Sequence, residues 1–158
     1  MDQPLDLTDY DARHTLASLV EDRRTADRSE ADLLAKVVHF CDLHPVVNQD
    51  DEAATWPTDQ PFVGPAHDYP ISGPGTPTVT VEAVHELTAA LGISHGSGLN
   101  LVGQTLELRY RLPKLWQLVQ DLTLPAWQGR RVAEQTMTLS MEAAGFVDRH
   151  LAVAAVRG

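Results

Sequence analysis

Gly92–Ile93–Ser94–His95–Gly96 matches G-x-S-x-G, the pattern in which a serine on a strained strand-to-helix turn attacks an acyl carbon. The residues before it, Glu82–Leu91, carry a helical pattern, so Ser94 is expected to cap a helix rather than act as a nucleophile. His39, Cys41 and His44 invite a metal reading. On a helix residues 41 and 44 converge while 39 points elsewhere, and no acid or histidine at i+4 completes the set. Neither constellation is expected to work, so the sequence predicts no catalytic residue, no metal ligand and no cofactor.

The remaining chemistry is cationic. Arg109, Arg111 and Lys114, with Arg130 and Arg131 further on, form the main basic concentration. Arginine keeps its charge against phosphate, so these five are the candidate DNA contacts, by phosphate contact rather than base reading. Glu107–Arg111 and Arg130–Glu134 have the i,i+4 spacing of helix-surface ion pairs, and Trp127 and Arg131 are spaced to stack. The segment around Gly92 also has the outline of a helix-turn-helix. Val84, Leu87 and Leu91 would face the core, Gly92 would turn, and Ser94 would open the second helix. That helix would lead with His95, Gly96, Ser97 and Asn100, which offer hydrogen bonds but no cation.

Helices must position these residues. Neither proline nor glycine occurs between Pro4 and Pro45, which predicts one long helix over this stretch, opened by Thr8 with Asp11 three positions on. Leu33, Leu34, Val37, Val38 and Cys41 form its inward stripe. Seven of the ten prolines fall between Pro45 and Pro77, so this segment is expected to be an irregular insertion, without helix or strand. Beyond it Ser94 opens a helix to about Leu112, apolar over most of its circumference, as suits the middle of a bundle. Its polar residues Asn100, Gln104, Glu107 and Arg111 fall on one narrow stripe. Pro113 and Pro125 open two short helices whose Trp116 and Trp127 should be mostly buried. Ser140 caps a last helix with Ala144, Val147, Leu151 and Ala154 inward. The expected fold is all-α: a multi-helix bundle with a long N-terminal helix (1–44), a Pro-rich acidic insertion (45–77) and a compact helical region (78–158), together one domain.

A chain of 158 residues with 43% hydrophobic and 22% charged residues has the composition of a soluble globular protein. Mean hydropathy is −0.19. One cysteine allows no internal disulfide, no apolar run approaches the roughly 20 residues that span a bilayer, and the acidic start is unlike a signal peptide. A cytoplasmic protein with no membrane role is expected. The net charge of −10 sits wholly in the first half: 15 acidic and 5 basic residues precede Pro77, and 7 of each follow. Such a balance opposes non-specific nucleic-acid binding by the chain as a whole and leaves room for a local basic face.

Several stretches carry a resemblance. They are Gly75–Thr76–Pro77, Glu86–Ser94, Leu106–Trp116, Pro125–Ala126–Trp127, Arg130–Ala133, Thr136, Leu139–Ser140, Glu142–Ala144 and Val147–Asp148. In that order and spacing they resemble the uncharacterised domain that precedes an HNH endonuclease motif in many actinobacterial proteins, some of them encoded in mycobacterial repeat elements. The resemblance covers about Arg24 to Leu151 and weakens over Pro45–Ser72. It implies a non-catalytic helical domain that assists binding of duplex DNA, weakly. The paired histidines and asparagine of the nuclease motif have no counterpart here, so its metal chemistry is carried over to no residue. The chain is then an N-terminal piece or a stand-alone relative. The other reading from the residues is a protein–protein interaction or oligomerisation module with no nucleic-acid role, whose long N-terminal helix pairs with a partner or with itself as a homo-oligomer.

Overall fold

The computed structural model describes residues 4–56 and 69–157, and the expected irregular stretch at 57–68 lies outside them. Six helices carry the fold: α1 Ala12–Asp42, α2 Val81–Leu91, α3 His95–Arg111, α4 Pro113–Gln120, α5 Ala126–Thr136 and α6 Met141–Arg157. The protein is an all-α bundle. The insertion contributes one minimal exception, an antiparallel pair of two-residue strands, β1 Thr55–Trp56 and β2 Tyr69–Pro70. An isolated bridge between Ala53 and Thr80 ties this pair to the start of α2.

The first helix is continuous over 31 residues. Its cap is Asp11, whose Oδ1 accepts from the His14 amide at 2.7 Å. Thr8 was the expected cap, but its side chain is bonded to Asp6 instead. Only the C-terminal half of α1 is packed: Ala31, Leu34, Val37, Val38 and Cys41 are buried, and no residue from Ala12 to Asp27 is. Between the halves, Arg28 donates to the Gln120 carbonyl and Gln120 donates to the Ala31 carbonyl, fastening α1 to the end of α4.

The centre of the bundle is α3, which packs against α1, α2, α4, α5 and α6. Leu99, Leu101, Val102, Leu106 and Leu108 are buried there. Close approach is bought with small residues. A Cβ at Gly98 would lie 2.0 Å from Thr88 Cγ2 of α2, and one at Gly129 of α5 would lie 2.9 Å from Val119 and 3.2 Å from Leu108. Between α2 and α3 the chain turns at Gly92, in the left-handed region at φ 64°, and Ser94 accepts from the Ser97 amide at 3.2 Å. These are the expected turn and cap.

Two expectations about orientation are corrected. The last helix buries Ala144, Asp148 and Ala152, while Leu151 and Ala154 are exposed. Its small residues permit close packing, and a buried acid sits where the sequence pattern called for an apolar stripe. Trp127 is 52% exposed rather than buried, and Trp116 is half-buried against the core.

A buried polar seam as the candidate functional site

The polar stripe of α3 is the main surprise. Glu107 and Arg111 were expected to pair on the helix surface, yet both side chains are fully buried, with Arg111 Nη1 2.7 Å from Glu107 Oε1. Each partner is further satisfied. Glu107 Oε1 accepts from the Thr136 hydroxyl at 2.7 Å, and Oε2 accepts from Ser72 Oγ at 3.2 Å and the Gly73 amide at 3.1 Å. Arg111 donates to the backbone carbonyls of Thr136 and Leu139, and its Nε has no partner among the described residues. A buried charge is tolerable only when paired and hydrogen-bonded in this way.

The pair fixes the course of the segment after β2. A Cβ at Gly73 would stand 1.6 Å from Arg111 Nη1, and one at Gly103 would stand 2.2 Å from the Ile71 carbonyl oxygen. Residues 71–73 therefore press their backbone onto α3, with Ile71 and Ser72 buried. One carboxylate and one guanidinium join three parts of the chain: the strap at 72–73, α3, and the end of α5 with the turn after it. This makes the seam a structural junction.

Arg111 is accordingly corrected as a DNA-contact candidate. At 2% exposure it has no surface to offer a phosphate. Arg130 is half-buried, its Nε donating to Gln104 Oε1 at 2.8 Å. Desolvation pushes its pKa down, with Glu30 and Glu134 acting the other way. The exposed members are Arg109, Lys114 and Arg131. Arg109 lies over the Tyr110 and Trp116 rings, at 5.4 and 5.9 Å from their centroids. Arg131 lines a shallow groove of about 430 Å³ with Trp127, Val132, Leu139, Val147 and Leu151, away from the Gln104 contact. The five cations do not form one patch. Arg130 and Arg131 are successive on α5, so they turn about 100° apart toward different neighbours.

Other expected features resolve simply. Ser94 is a cap following a helix, so the strained turn that a nucleophile needs is lacking at this serine. Cys41 is buried, and desolvation with the nearby Asp42 charge pushes its thiol up to about 12. His44 directs Nδ1 to the Phe40 carbonyl at 2.8 Å, and His39 is exposed. Among the described residues, no group of three or more His, Cys, Asp or Glu could hold a metal. The Tyr110 hydroxyl donates to Asp42 Oδ1 at 2.6 Å. Burial first, then that bond and the Asp42 charge, raise the phenol to about 12.

A second buried acid was missed in the sequence. Asp148 of α6 accepts from the Lys114 amide at 3.1 Å and the Leu115 amide at 2.9 Å. It caps α4, whose own cap residue Leu112 has no side chain able to do so. Asp148→Ala is expected to lower stability by about 2 kcal/mol, the upper end of cap losses, because the bared amides stay buried. Urea unfolding followed by circular dichroism measures this, and a loss under about 0.5 kcal/mol would show that the cap contributes little.

Compared with known proteins, the chain matches no family model, no curated protein and no solved structure. Fold and site define its class: an all-α bundle domain organised around a buried ion-pair seam. No helix among the described residues is long and apolar enough to cross a membrane.

Proposed function

We propose that the chain is a non-catalytic helical domain of the kind that precedes the nuclease motif in HNH-endonuclease-type proteins, and that it assists binding of duplex DNA. The observation that supports this reading is how the two halves of its charge chemistry are used. The buried acids Glu107 and Asp148 are committed to holding strap, helices and caps together, while Arg109, Lys114 and Arg131 keep their side chains in solvent. A scaffold with dispersed exposed cations suits weak, sequence-tolerant phosphate contact. Base reading by the α2–α3 corner is disfavoured, because eleven of the seventeen α3 residues are buried in the bundle. In the N-terminal part that a reading helix would present, His95, Gly96, Ser97 and Asn100 reach solvent.

Three phosphate contacts give a log–log salt slope no steeper than about −2.7. Arg131→Ala should flatten it by about 0.9 without changing helical content, whereas an equal slope in that variant would remove Arg131 from the contact. Fluorescence anisotropy of a labelled duplex over a salt series makes the comparison.

The second reading, an interaction module that self-associates through its N-terminal helix, has its own support. Leu16, Leu19 and Val20 are 64, 57 and 69% exposed along the unpacked half of α1, an arrangement typical of surfaces that meet a partner. Sedimentation of the chain alone, against Leu16→Ser/Leu19→Ser, tests it: a dimer lost in the variant favours this reading, and a monomer throughout excludes it.

A further inference from the structure

His85 of α2 and His95 of α3 lie ten residues apart in sequence, yet their ring centroids are 4.6 Å apart, tilted by 45°. Both side chains are exposed. The helices that carry them are locked together at this corner. Gly92 closes α2 with its amide bonded to the Ala89 carbonyl, the Ile93 amide bonds the Thr88 carbonyl, and Gly98 sits directly against Thr88. The corner thus holds the two backbone positions that carry these rings in a fixed relation.

We propose that His85 and His95 form a two-imidazole chelate for a divalent transition metal of the Cu²⁺ or Ni²⁺ class. The distance carries the argument. With a metal–nitrogen bond of about 2.1 Å and a ring centroid about 1.1 Å behind the nitrogen, each centroid stands about 3.2 Å from a bound ion. Two imidazoles at right angles then place their centroids about 4.5 Å apart, and at a tetrahedral angle about 5.2 Å apart. The observed 4.6 Å fits the right angle, which is the geometry of tetragonal Cu²⁺ and Ni²⁺ rather than of tetrahedral Zn²⁺. The chelate requires one nitrogen of each ring to face the shared ion, and turning an exposed ring about its Cβ–Cγ bond moves its centroid little. Neither ring is engaged in a hydrogen bond with the described residues, unlike His44 and His150, whose Nδ1 atoms face carbonyls. Among the described residues no third His, Cys, Asp or Glu completes the set, so water fills the remaining positions. The bound ion would join α2 to α3 across their turn. This inference is independent of the DNA reading.

Calorimetric titration of the full chain with Cu²⁺, Ni²⁺, Zn²⁺ and Mg²⁺ tests it. One ion should bind per chain, tightest for Cu²⁺, weaker for Ni²⁺ and weaker again for Zn²⁺, with no Mg²⁺ binding. His85→Ala and His95→Ala should each weaken Cu²⁺ and Ni²⁺ binding by at least about tenfold, a change of 1.4 kcal/mol. A variant lacking His14, His39 and His150 should bind as the parent does. Electron paramagnetic resonance of the Cu²⁺ form should show two imidazole nitrogens. Unchanged affinity in either single variant, or a spectrum with one imidazole nitrogen, would overturn the proposal.

Discussion

Glu107→Ala is expected to lower folding stability by about 3–5 kcal/mol, because it leaves the Arg111 guanidinium buried without its counter-charge. Five hydrogen bonds go at once: two from Arg111 Nη1, and one each from Thr136, Ser72 and the Gly73 amide. Arg111→Ala should cost a similar amount, since it strands the carboxylate. The double variant should cost less than the sum of the two by at least about 1 kcal/mol, because residues sharing one network are coupled. Denaturant unfolding of all four proteins measures the cycle. Additive losses, or single losses below about 1 kcal/mol, would place the pair on the surface, where exposed ion pairs contribute little.

The glycines of α3 should respond to the same substitution with opposite signs. Gly96→Ala meets nothing within 4 Å and should stabilise by up to about 1 kcal/mol through helix propensity alone. Gly103→Ala offers the same propensity gain, but its Cβ would stand 2.2 Å from the Ile71 carbonyl oxygen. A backbone atom has no rotamer by which to retreat. The strap must lift, drawing Ser72 and Gly73 away from Glu107, so a net loss of about 2–3 kcal/mol is expected, the upper range for overpacking. Thermal melts of the two variants decide the sign, and a Gly103→Ala protein as stable as the parent would mean that the strap does not press on α3.

Much of this architecture is legible in the residues. Gly92 and Ser94 bound α2 and α3 by local chemistry alone, and the absence of Pro and Gly between Pro4 and Pro45 makes α1 long. The centrality of α3 follows from its apolar circumference. Its polar stripe misleads, because i,i+4 spacing describes a surface pair and a buried pair equally well. What distinguishes them is a partner from elsewhere, the Gly73 amide 34 positions upstream and Thr136 29 positions downstream of Glu107. The same holds for Asp148, a cap supplied from another helix, and for His85 and His95, which only the fold of the corner brings together. The cations were legible as a sequence cluster but not as a surface. Arg111 and Arg109 differ by two helical positions, about 200° around the axis, and so one enters the core while the other meets solvent.

Arg111 holds the fold, while Arg109, Lys114 and Arg131 stay in solvent, where we propose that they meet phosphate. Sedimentation of the chain with a duplex at low salt, parent against Arg109→Ala/Lys114→Ala/Arg131→Ala, tests it most directly. The parent is expected to co-sediment with DNA weakly, and the triple variant is expected to keep the parent's helical content and melting temperature while losing the complex. A triple variant that binds DNA as the parent does, or a parent that shows no complex at low salt, would contradict it.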